Sequence, residues 1–151
     1  MIYVGIDVAK DKHDCYITNS DGEVLSQVFT ITNNLDGFND LYQIIKSVSS
    51  NLSKVKVGLE ATGHYSYNLL GYLLDKGLAT FVINPLHTNQ YRKSLSLRLT
   101  KTDKVDARTI ASMMMSDINS SRFIFLFSCL SLHIYSFQDA GSLSTSTRAA
   151  N

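Results

Sequence analysis

Residues 2 to 32 hold three strand-forming runs joined by short turns, and that spacing constrains the fold more than any other feature of the chain. Ile2, Val4 and Ile6 alternate with Tyr3, Gly5 and Asp7, a period of two with one apolar face. Val8-Ala9-Lys10-Asp11-Lys12 reads as a polar turn, and Asp14 to Thr18 as a returning strand. Asn19-Ser20-Asp21-Gly22 is a hairpin signal before a third run, Glu23 to Thr32. Parallel strands need a crossover of a dozen or more residues, so these three are antiparallel neighbours.

The pattern then changes to alternating helix and strand. Asn33 or Asn34 can cap a helix carrying Leu35, Phe38, Leu41, Tyr42, Ile45 and Val48 at helical period. A fourth strand spans Val55 to Glu60. A second helix carries Leu69, Leu70, Leu73 and Leu74 and stops at Gly77, and a fifth strand runs from Leu78 to Ile83. Residues 86 to 102 are polar, basic and weakly periodic, which suits a loop or a loose helix. A last helix is expected from Asp103 through Met115. The fold class is α/β, with an antiparallel start and parallel additions around five strands.

At 151 residues the chain has room for one domain with a core. Its net charge of +1 says nothing about partners, although basic residues cluster late. Cys15 and Cys129 are far apart and give no zinc motif or disulfide framework, which fits a reducing cytosol. The N-terminus lacks the basic start of a signal peptide. The longest apolar run, Phe123 to Tyr135, is too short to span a bilayer. No membrane partner is expected.

Two tetrapeptides share one pattern: Val4-Gly5-Ile6-Asp7 and Val57-Gly58-Leu59-Glu60 each end a buried-type strand on a carboxylate. Alternation puts each carboxylate on the face of the glycine two residues before it, and that glycine is expected to leave open space beside it. If the strands are parallel neighbours, the carboxylates stand together at the carboxyl ends, where open α/β sheets build their sites. Two desolvated like charges call for a cation, and Mg²⁺ or Mn²⁺ with oxygen ligands suits them. Single carboxylates at strand ends are common, so from this pattern alone Asp7 reads first as a turn residue and Glu60 as a solvated strand end.

Asp103 and Asp106 lie three apart, on one side of a helix. They suit metal binding or, equally, capping of the helix N-terminus. Around them stand Arg92, Lys93, Arg98, Lys101, Lys104 and Arg108, with Lys10 and Lys12 in the first turn. These basic residues are either a solvated face or the ligands of a phosphate backbone.

Taken together, Gly5 to His13, Gly58 to Tyr65, Asn84-Pro85 and Lys101 to Ala107 closely resemble the DEDD transposase family of bacterial insertion sequences, recombinases guided by a bridge RNA. The resemblance covers residues 1 to 117. It implies a RuvC-like, RNase H-type fold in which Asp7, Glu60, Asp103 and Asp106 match the family's four acidic residues and bind divalent metal. It also implies DNA as substrate, a guide RNA, a homo-oligomer, a cytoplasmic, nucleoid-associated setting, and a serine nucleophile from a second domain. The expected activity is metal-dependent DNA strand cleavage and transfer during transposition.

Residues 118 to 151 differ in character, with Arg122, Asp139 and Arg148 as their only charges and a Ser/Thr-rich end. They are expected to be an atypical tail of a truncated or frameshifted frame, without the serine domain. One alternative is then a catalytically incomplete fragment that only binds RNA or DNA. Another is an actin-like or sugar-kinase-like ATPase, which also opens on a Gly-Ile-Asp strand but wants glycine-rich phosphate loops absent here.

Overall fold

The computed structural model describes residues 1–60, 63–95, 103–116 and 124–127, with side chains at all of these except 95, 103–105 and 124–127. β1 (Ile2–Val8), β2 (Lys12–Asn19) and β3 (Val24–Thr32) form the expected antiparallel meander, with Ile2 opposite Asn19 and Val8 opposite His13. Its second turn closes because Asn19 Oδ1 accepts the amides of Asp21 and Glu23 while Gly22 takes a φ of 81°.

β4 (Val55–Glu60) then lies parallel to β1 on its other side, and β5 (Ala79–Ile83) lies parallel to β4. The five expected strands are joined by a sixth, β6 (Ile124–Phe127), antiparallel to β5, so the order is β3-β2-β1-β4-β5-β6. This edge strand comes from the serine-rich region past residue 117, where composition alone shows no strand partner.

Each face of the sheet has its own cover. α1 (Leu35–Val48) starts on Asn34, whose Oδ1 accepts the Gly37 amide at 3.0 Å. It buries Phe38, Leu41 and Ile45 against Val4, Ile6, Cys15, Ile17, Val57 and Leu59. α2 (Tyr67–Asp75) adds Leu69 and Leu73 to the same layer. The opposite face is crossed by α4 (Asp103–Ser116), which packs Ile110, Met113 and Met114 with Tyr3 and Ile83, and Ala107 and Ala111 with Tyr16. Met113 and Met114 are therefore core packing, with Met115 partly buried beside them.

The polar segment after β5 is more ordered than its weak periodicity implied. α3 (Pro85–Leu95) begins with proline in the first turn, where a missing amide costs nothing, and Asn84 Oδ1 accepts the Leu86 amide at 2.9 Å. Tertiary contact supplies what periodicity lacks, since Tyr91 Oη lies 3.0 Å from Ser116 Oγ on α4. Among the described residues no helix is long and apolar enough to cross a membrane.

Candidate metal centre

The centre is built at the carboxyl ends of the two central parallel strands. Gly5 pairs with Gly58 and Ile6 with Leu59, so one further step along both strands sets Asp7 beside Glu60. Strand alternation puts both carboxylates on the face of Gly5 and Gly58, the face that α4 crosses. The role expected for the glycines needs correction here. The space above them is filled, not open. A Cβ on Gly5 would run into the Ala107 carbonyl and stand 2.6 Å from the Ala111 amide, and one on Gly58 would run into the Met114 sulfur. The glycines let α4 lie flat on the sheet, and that contact carries the helix's acidic residue to the strand ends.

Asp106 is that residue, and it arrives already paired. Arg92 of α3 donates from Nη1 to Asp106 Oδ1 at 2.6 Å and from Nη2 to Asn89 Oδ1 at 3.1 Å. Their side chains are only 19% and 15% exposed. Burial pushes the Glu60 carboxyl above its ordinary range, Asp106 pushes it the same way, and Arg92 pulls it back. Glu60, Asp106 and Arg92 thus share one electrostatic neighbourhood. Asp103 opens α4 three residues before Asp106, with its side chain outside the described set.

The donor chemistry fits a divalent cation. The described groups, Asp7, Glu60 and Asp106, are hard carboxylates that are each partly withdrawn from water, and Asp106 is paired with the Arg92 guanidinium. Among the described side chains no three Asp, Glu, His or Cys groups converge into a ready-made cage.

The basic residues divide into distinct sets. Lys10 and Lys12 are exposed in the β1–β2 turn, beside the end of β1 that carries Asp7. Lys93 is exposed on α3, next to Arg92. Arg108 turns away toward the meander, donating to Gln27 Oε1 at 2.9 Å with its guanidinium 5.5 Å from the Tyr16 ring centre. Arg98, Lys101 and the side chain of Lys104 lie outside the described residues. His64 sits in a short 3-10 turn, Gly63–Ser66, against the Tyr65 ring, consistent with a turn role.

Three supporting residues escaped the sequence reading. Asn33 holds the lysine turn, donating from Nδ2 to the Lys10 carbonyl at 2.9 Å and from its amide to the Asp11 carbonyl at 3.0 Å. His13, fully buried, accepts the Ala9 amide at Nδ1. Asn89 is the third, and its signal was the Asn-x-x-Arg spacing, which has meaning only once α3 is known to be a helix.

An antiparallel meander continued by parallel strands, with acidic residues on the two central ones and on a helix across them, defines an RNase H-like domain. Thermus thermophilus RuvC, solved in complex with a Holliday junction substrate, superposes with a TM-score of 0.54 over 82% of this chain and 98% of that one, at 11% identity. RuvC solved separately from the same organism gives the same TM-score at 10% identity. Residues 4–149 match the model of the DEDD transposase family of the IS110 type, described as a transposase, and the chain belongs to this family.

The pilin gene-inverting protein of Moraxella lacunata is 39% identical over 110 residues, covering 72% of this chain and 33% of that protein. The mini-circle putative transposase for IS117 of Streptomyces coelicolor is 29% identical over 123 residues, 80% of this chain and 28% of that protein. The chain therefore spans about a third of the length of these relatives. Membership in this family implies a divalent metal, and it does not favour the actin-like ATPase alternative.

Proposed function

We propose that this domain performs the metal-dependent step of DNA strand cleavage and transfer in transposition, with Asp7, Glu60, Asp103 and Asp106 as its acidic cluster. The observation that carries the reading is the register of β1 against β4, which sets two Gly-x-carboxylate ends side by side beneath α4. Mg²⁺ or Mn²⁺ is the expected ion, because both take oxygen ligands. When bound, the metal supplies Lewis-acid stabilisation of charge on phosphodiester oxygens.

The chain's own residues perform the rest of the task proposed for it. Asp7 and Glu60 would hold the ion from rigid strands, and Asp106 with Asp103 from α4. Lys10, Lys12 and Lys93 would bind the DNA backbone, with Arg98, Lys101 and Lys104 on the connection into α4. Arg92 and Arg108 belong to the same basic set but hold internal partners first. RuvC was solved with a branched DNA, and a branched or paired substrate is the class proposed for this domain. A guide RNA, a homo-oligomer and a cytoplasmic, nucleoid-associated setting complete the proposal, with residues 1–117 as the catalytic unit.

The test uses the full chain, a labelled four-way DNA junction and Mn²⁺. Mn²⁺ should raise the melting temperature and support nicking of the junction, and Asp7→Asn, Glu60→Gln and Asp106→Asn should each lose both effects. A metal-induced stabilisation that survives all three substitutions would show that the ion binds elsewhere.

A further inference from the structure

We propose that the Arg92 guanidinium is a resident countercation that competes with the divalent metal for Asp106, so that filling the centre expels Arg92 and frees it to bind phosphate. The inference rests on reading the acidic cluster as a metal site. Arg92 contacts the carboxylate directly, at 2.6 Å, and both side chains are largely withdrawn from water. In such surroundings the pair is screened far less than a surface ion pair.

Arg92 reaches Asp106 from a braced position. Asn89, one turn earlier on α3, accepts its second nitrogen, and the Tyr91–Ser116 contact fixes α3 against α4. The contact is thus a built arrangement between two packed helices. Its charge balance is incomplete, however. Among the described side chains one positive charge, Arg92, acts on Asp106 and the nearby Glu60, whose charges disfavour each other.

A divalent ion would supply the missing charge and accept the carboxylate oxygens directly, which a guanidinium can do only by hydrogen bonds. A divalent ion and a guanidinium drawn to one partly desolvated carboxylate repel each other, so the Arg92 contact weakens as the metal binds. The displaced guanidinium then carries unpaired donors beside the exposed Lys93. A phosphodiester offers a guanidinium two acceptor oxygens in place of the single Asp106 oxygen that it lost. Metal binding and backbone binding are therefore linked through one side chain, and each favours the other.

The test measures Mn²⁺ binding to the full chain by the electron-paramagnetic signal of the free ion, in the native protein and in Arg92→Gln, Arg92→Lys and Asp106→Asn. Arg92→Gln is expected to bind Mn²⁺ about tenfold tighter, the fold-change that corresponds to ~1.4 kcal/mol. Equal or weaker binding by Arg92→Gln, with binding lost in Asp106→Asn, would overturn the competition while leaving the metal site standing. Absence of binding in the native chain would remove the site and the proposal together. A second readout, which needs no glutamine variant to fold, is the Arg92 Nε–H resonance, assigned by its absence from Arg92→Lys. It should move on saturation with Mg²⁺ while the Arg108 resonance stays. A stationary Arg92 resonance at saturating Mg²⁺ also overturns the proposal.

Discussion

Gly5 and Gly58 stand directly opposite each other in the parallel pairing of β1 with β4, and α4 lies over both of them. The two contacts differ in kind. Over Gly5 the helix presents backbone, the Ala107 carbonyl and the Ala111 amide, whereas over Gly58 it presents the Met114 side chain. Backbone cannot withdraw without moving the helix, but a thioether can change rotamer.

Gly5→Ala is therefore expected to destabilise the domain by about 1–3 kcal/mol and Gly58→Ala by less, because overpacking against backbone is relieved only by displacing α4. Because α4 carries Asp106, Gly5→Ala should also weaken Mn²⁺ binding. Urea unfolding and Mn²⁺ titration of the two variants check the order, and equal effects would contradict this account of the glycines.

Burial and Asp106 both disfavour the charge of Glu60, and Arg92 only partly offsets them. Glu60→Gln keeps the shape and removes the charge. The variant should melt a few degrees higher than the native chain in EDTA, yet gain nothing when Mn²⁺ is added. Calorimetry with and without the ion separates the two effects, and a lower melting temperature in EDTA would show that Glu60 is stabilised by its surroundings.

His13 makes stability depend on pH. Burial lowers its pKa below 6.5, with the Asn33 side chain and the Lys12 backbone pulling the other way. The unfolded chain therefore takes up a proton, near pH 6.5, before the folded one does. The neutral ring's contribution is complete above that value and is lost as pH falls toward the lower folded pKa, at up to about 1.4 kcal/mol per pH unit. Urea midpoints between pH 7.5 and 5.5 should fall in the native protein and be flatter in His13→Gln. An identical slope in the variant would assign the dependence to other groups.

Asn34 caps α1 through its bond to the Gly37 amide, so Asn34→Ala should cost about 1 kcal/mol. Mn²⁺ affinity should stay unchanged, because α1 covers the face away from the carboxylates. A loss of metal binding in this variant would mean that the two faces are coupled through the sheet.

Periodicity, turn chemistry and short connections determined much of this protein before any coordinates. Alternation in residues 2 to 32 was enough for the meander, because side-chain direction in a strand is set locally. The paired Gly-x-carboxylate ends likewise singled out Asp7 and Glu60 as strand ends that would be neighbours if β1 and β4 paired in parallel, and the register pairs them so. The alternating helices and strands implied the mixed sheet for the same local reason.

Long-range contact decided the remainder. No local rule predicts that residues 85–95 form a helix braced by Tyr91 on Ser116, or that Arg92 crosses to Asp106, fourteen positions along the chain. No alternation in Ile124–Phe127 reveals that this segment joins the edge at β5. The glycines show the difference most directly. Their sequence says that a side chain is absent, and only the packed helix shows which backbone occupies the space.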